Sequence, residues 1–111
     1  MAILEYLSLK PYNTFGIDAC AHYFCRVQSK EAILHVIQHE LQYSPKFLII
    51  GGGSNILLCD DYDGLVIKNE ITGIEITKEE EDFVWVKSYS GTVWHELVRY
   101  CVLHNYGGIE N

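Results

Sequence analysis

Residues 46–64 read KFLIIGGGSNILLCDDYDG. A short apolar run enters three consecutive glycines, crosses Ser54 and Asn55, and continues into a second apolar run. The residues after the glycines decide the fold. A dinucleotide fingerprint of the GxGxxG type needs a glycine at position 56 and a helix starting there, but the residue is Ile56 and its neighbours favour a strand. A Walker A loop needs a lysine followed by serine or threonine, and Ser54-Asn55 is neither. The stretch therefore reads as strand, turn and strand, with no helix dipole aimed at a ligand. Gly51, Gly52 and Gly53 are free to take positive φ and carry no Cβ. Successive N–H groups in such a turn can converge on an anion, and Ser54 and Asn55 add side-chain donors at the rim. A pyrophosphate would fit this description, and so would a tight turn that binds nothing. One glycine suffices for a turn, and each further one is unfavourable by roughly 0.5–1 kcal/mol relative to alanine in regular structure. Composition alone leaves the two readings level.

Working outward, residues 22–27 (HYFCRV) have the aromatic and β-favouring content of a strand. Ser29 can cap a helix from Lys30 to about residue 43, with Glu31 in its first turn. Ile33, Val36, Ile37 and Leu41 recur at helical spacing as its buried stripe, and Ser44-Pro45 ends it. Residues 47–50 form an all-apolar run, the pattern of a strand covered on both faces. Strand, helix and strand over this length make a βαβ unit with a parallel crossover. Residues 56–58 read as another short strand, 60–64 as a turn and 65–67 as a strand. Residues 74–77 and 83–89 are expected to pair around the solvated tip KEEED (78–82). Thr92 is expected to cap a helix from Val93 to about His104, burying Val93, Leu97, Val98 and Cys101 and stopped by Gly107 or Gly108. Residues 1–22 are expected to be irregular, with Pro11, Asn13 and Gly16 as turn residues.

The totals limit the possible functions. A chain of 111 residues fits one domain, and 49% hydrophobic content is globular. The formal charge of -7 leaves no basic face for nucleic acid. An anionic ligand would have to be held mainly by the backbone. No apolar run approaches the roughly 20 residues of a membrane span, and the start lacks a secretory pattern, so a cytoplasmic location is expected. Cys20, Cys25, Cys59 and Cys101 form no CxxC and are expected to be buried or half-buried free thiols. His35 and His39 lie four apart, but Val36 stands where a zincin has its glutamate, so no metal site is expected.

Three segments together carry a resemblance: SLKPYNTFGIDA, LIIGGGSNILLCDDYDGLVI and SGTVWHELVRYCVLHNYGGIEN. In sequence, order and spacing they are similar to the N-terminal part of the UDP-N-acetylenolpyruvoylglucosamine reductase (MurB) family. The resemblance implies an α+β fold: the first subdomain of a vanillyl-alcohol-oxidase (PCMH) type FAD-binding domain, a small mixed sheet with a βαβ unit and about two helices. Residues 1–111 would be a single partial domain, with the rest of the FAD domain and the substrate domain outside it. The family's activity would be an NADPH-using, FAD-dependent oxidoreductase step of peptidoglycan synthesis, giving UDP-N-acetylmuramate. The resemblance places the FAD pyrophosphate on Gly51, Gly52, Gly53, Ser54 and Asn55, with Ile50 and Ile56 packed along the cofactor. It gives no residue here a catalytic role, and Glu110 is expected to be structural. A piece of this kind is expected to be inactive alone and to self-associate through the face it would otherwise bury. The alternatives are another flavin oxidase of the same fold or a non-catalytic binding module that has kept the fold.

Overall fold

The structure is a computed structural model that describes residues 2–40, 46–52 and 56–109. The chain forms two compact units, Met1–Glu70 and Ile71–Asn111. Neither composition nor a linker marks the boundary between them.

The first unit is built on a four-stranded mixed sheet. Its strands are β1 (Leu4–Ser8), β2 (Cys20–Val27), β3 (Phe47–Ile50) and β4 (Tyr62–Asn69), in the order β1-β2-β4-β3. β1 runs antiparallel to β2, while β2 and β3 both run parallel to the central β4. β1 corrects the expectation that residues 1–22 are irregular. The turn residues lie after it, in a 3-10 turn at Lys10–Tyr12 and at Gly16, where φ is +66°.

Helix α1 (Lys30–His35) begins as expected, with Ser29 Oγ accepting the Ala32 N–H at 3.1 Å. It then widens into a π turn at Val36–Glu40. Val36 is buried and Ile33 half-buried, but Ile37 is half exposed, which corrects the expected stripe. The wider turn puts Ile37 out of phase with a 3.6-residue period. Leu41, Ser44 and Pro45 lie outside the described residues.

Alternation along the strands sorts two apolar layers. Cys25, Val27, Leu65 and Ile67 pack with Val36 of the helical side. Ala21, Phe24, Ile50 and Val66 pack with Leu9 on the other face, joined by Ile56 and Leu58. β3 is an edge strand, and Phe47 and Ile49 on its outer face are 45% and 48% exposed. The expectation of cover on both faces is therefore wrong for β3; the strand buried on both faces is β4, whose Gly64, Leu65, Val66 and Ile67 are all buried.

Residues 56–58 form no strand, contrary to expectation. Parallel β3 and β4 require the intervening chain to return along the sheet. Ile50 pairs with Lys68, six residues beyond the start of β4, so the return spans roughly 20 Å at the rise of a strand. Ile56, Leu57, Leu58 and Cys59 alternate in burial without a strand partner among the described residues, which explains why they look like a strand in sequence.

The second unit is a hairpin and a helix. β5 (Ile74–Glu79) and β6 (Val84–Ser88) pair antiparallel, with a register irregularity between Ile76 and Lys78. The acidic tip lies at the surface as expected, closed by the Glu80 N–H donating to the Phe83 carbonyl. Helix α2 (Trp94–Leu103) buries Cys101 and half-buries Leu97 and Val98. Val93 is the N-cap and 55% exposed, not buried as expected. Thr92 does not cap the helix either: its Oγ1 accepts from the Gly73 N–H at 3.0 Å and donates to the Gly73 carbonyl at 3.1 Å. The helix stops at Asn105, which takes φ +59°, rather than at Gly107 or Gly108. The Tyr106 N–H reaches the Cys101 carbonyl and the Asn105 N–H the Val102 carbonyl, the paired bonds of a Schellman stop.

Candidate cofactor-binding site

The glycines come directly after the carboxyl end of β3, beside the carboxyl end of β4. In open sheets with parallel strands, ligands sit outside those ends. Ile50 is 4% exposed and anchors the loop in the core, and Ile56 is half-buried against the same cluster. The two isoleucines therefore bracket the loop from the protein side. Gly53, Ser54 and Asn55 lie outside the described residues.

Gly51 and Gly52 are both exposed, and neither takes positive φ. The positive φ that glycine permits is thus not used at these two positions. A Cβ added at either one meets nothing within 4 Å among the described residues. The chain itself would accept a side chain at both, so the open space in front of them is what glycine preserves. Outside the sheet ladder, neither residue's N–H is engaged by a turn or loop carbonyl among the described residues. An extended phosphate pair fits such a surface, because it needs close backbone approach and accessible N–H donors.

Gly64 contrasts with these. β4 carries an irregularity opposite β2, where Ala21 pairs with Tyr62 but Tyr23 pairs with Leu65. A Cβ at Gly64 would stand 2.5 Å from the Lys46 carbonyl oxygen. This glycine serves the sheet, a role that the run of three glycines hides in sequence.

The connection from β1 to β2 is fixed by the side chain of Asn13. Asn13 is buried, donating through Nδ2 to the Leu9 carbonyl at 2.7 Å and the Ile17 carbonyl at 3.1 Å. Its Oδ1 accepts the Ile17 N–H at 3.0 Å. SLKPYNTFGIDA is therefore a structural clasp under the Leu9–Phe24 layer.

The opposite, amino edge of the sheet is acidic. Asp61 Oδ1 accepts the Cys20 N–H at 2.8 Å, and His22 Nδ1 lies 3.3 Å from Asp63. The His22 ring is stacked between Tyr6 and Tyr23. Elsewhere, the His35 and His39 rings lie 4.7 Å apart and His35 is 3.8 Å from Glu40. Among the described residues no group of three His, Cys, Asp or Glu is placed to hold a metal ion, and no helix is long and apolar enough to cross a membrane. All four thiols are free; Cys25 and Cys101 are buried and Cys20 is half-buried, but Cys59 is exposed, contrary to expectation.

The family described as FAD binding domain matches residues 21–109. The UDP-N-acetylenolpyruvoylglucosamine reductase of Flavobacterium johnsoniae is 48% identical over 111 residues, all of this chain and 32% of that protein. The proteins of the same name from Amoebophilus asiaticus and Pseudomonas putida are 41% and 38% identical, over 100% and 96% of this chain and 33% and 32% of theirs. The chain spans about a third of the length of the curated relatives it matches. With the family match running across both units, the chain belongs to the FAD binding domain family, and FAD is the cofactor this membership gives it.

Proposed function

We propose that this chain supplies the pyrophosphate-binding part of the FAD site in a UDP-N-acetylenolpyruvoylglucosamine reductase. That enzyme would convert UDP-N-acetylglucosamine enolpyruvate to UDP-N-acetylmuramate in the cytoplasm, drawing on NADPH for peptidoglycan synthesis. The two units together are read as part of one FAD-binding domain. FAD, when bound, supplies the capacity to carry a hydride between NADPH and the enolpyruvyl double bond.

Within that assignment, the residues of this chain bind and position. Gly51, Gly52 and Gly53 leave room for the linked phosphates to lie on the main chain, and Ser54 and Asn55 offer donors at the rim. Ile50 and Ile56 hold the loop on the core. No residue here is assigned a proton-transfer role, and UDP-sugar contacts are assigned to residues beyond this chain, so the isolated chain is expected to be inactive.

The observation that carries the reading is the open space at Gly51 and Gly52, which the fold does not itself require. Titrating the purified chain with FAD tests it, with quenching of flavin fluorescence as the readout. The wild-type chain is expected to take up FAD. Gly52→Leu is expected to abolish uptake while leaving the thermal unfolding midpoint unchanged. A wild-type chain that takes up no FAD would overturn the reading. So would a Gly52→Leu variant that binds as well as wild type.

A further inference from the structure

We infer that Lys68 is a second, charged anchor for the cofactor's pyrophosphate, and that the backbone does not hold the anion alone. This rests on the FAD reading of the glycine loop and adds a residue to it. Lys68 pairs with Ile50 on one side and with Arg26 on the other, so Arg26, Lys68 and Ile50 form one row across β2, β4 and β3. Residues in register on parallel strands share a face, here the face of Phe24, Ile50 and Val66. Gly51 and Gly52 come at once after Ile50. An aligned neighbour lies roughly 4.8 Å away across a sheet, within reach of a lysine stem for a ligand resting on the glycines.

The charge environment singles Lys68 out. Arg26, in the same row, is held by Glu70 at 3.3 Å, and Gln28 Nε2 donates to the same carboxylate at 2.7 Å. Glu70 is thereby occupied. Lys78 and Lys87 pair with Glu80 and Glu75. The Lys68 side chain is half-buried, and among the described residues its ammonium has no ion pair, hydrogen bond or ring contact. The other cations in that condition, Lys10, Lys30 and Arg99, are exposed to solvent, where water compensates them. A half-buried lysine lays its stem along the sheet and presents its ammonium at the rim, where an anion can reach it. The sheet is polarised in the matching sense. Asp61 and Asp63 against Lys46 leave its amino edge with an excess of one negative charge, whereas Arg26 and Lys68 against Glu70 leave the carboxyl edge with an excess of one positive charge. In a chain of net charge -7, that excess lies where an anion is expected.

The test compares wild type, Lys68→Met, Lys68→Arg and Lys30→Met, each titrated with FAD, ADP and inorganic pyrophosphate. Tryptophan fluorescence and a thermal-shift readout report binding, and circular dichroism checks the fold. Lys68→Met is expected to weaken FAD and ADP by about tenfold or more, the effect of losing a charge-assisted contact. It should also remove most of the salt dependence of binding. Lys68→Arg should retain at least part of the affinity, and Lys30→Met should match wild type. Equal affinity of Lys68→Met and wild type overturns the anchor and leaves the glycine site standing. Equal losses in Lys68→Met and Lys30→Met reduce the effect to net charge and also overturn it. A loss for FAD without one for ADP places the lysine away from the phosphates and overturns it as well. A folded wild-type chain that binds none of the three probes overturns the anchor and the FAD reading together.

Discussion

Asn13 uses both ends of its amide on the backbone of Leu9 and Ile17 at a position 8% exposed. Asn13→Ala takes one bond from the Leu9 carbonyl, which still accepts the Tyr12 N–H, and removes the Asn13 partner of the Ile17 carbonyl and N–H. A loss of about 1–3 kcal/mol is expected, measured as a shift in the urea unfolding midpoint. The thiols make a second case at this scale. Cys59 is exposed and should be alkylated first, with Cys25 and Cys101 protected until the chain unfolds. Burial, and secondarily the nearby Glu40 carboxylate, push the Cys25 thiol from its ordinary 9.0 up to about 11. The folded-state value is raised, so its stabilising effect is complete below pH 9. It is lost as pH rises through 11, because only the unfolded chain ionises readily in that window. Stability followed by denaturant titration should fall across that window in wild type, and a Cys25→Ala variant should show a shallower fall. Asn13 stood out in the sequence as a turn residue, but its buried, fully bonded role depends on Leu9 packing against Phe24 and could not be seen locally.

Element by element, the sequence was legible where one local signal dominates. The Ser29 cap, the β2 strand and the β5–β6 hairpin with its charged tip all follow from spacing or composition within a few residues. It was misleading where pairing or phase is set at a distance. Residues 56–59 have strand composition but no partner strand, and β1 has a partner, β2, that only the folded sheet supplies. The capping of α2 shows the same limit at both ends. Thr92 is drawn to the backbone of Gly73, nineteen residues away, and Asn105 takes the left-handed stop that two downstream glycines seemed better suited for. Asn105→Ala is therefore expected to destabilise the second unit by about 1 kcal/mol, since alanine gains nothing in that conformation and resists it. Gly107→Ala should have little effect on α2. Thermal unfolding monitored by helical circular dichroism distinguishes the two, and a reversed order would show that the helix ends differently in solution.

For the whole molecule, the candidate site was legible as a composition and a place, while its physical basis was not. The three glycines pointed to the loop, yet positive φ does not account for Gly51 or Gly52, and Lys68 is invisible until β4 lies beside β3. The same scale explains what the surface should do. In the second unit Phe83, Trp94, Val93 and Leu103 are 67%, 61%, 55% and 68% exposed. Val84, Val86, Trp94, Leu97 and Ile109 line an apolar groove between the hairpin and α2. Scattered apolar residues at a surface need no explanation, but large side chains concentrated on a unit of some forty residues favour burial against something. A second copy of the chain would supply such cover. Multi-angle light scattering over a concentration series should show dimers or larger species at micromolar concentration. Charge substitutions at two exposed positions of α2, Trp94→Glu with Leu103→Lys, should shift the distribution to monomer without loss of helical signal. A wild-type chain that stays monomeric at the highest concentration reached would show that this surface is tolerated in water, and the self-association reading would fall while the FAD site remained.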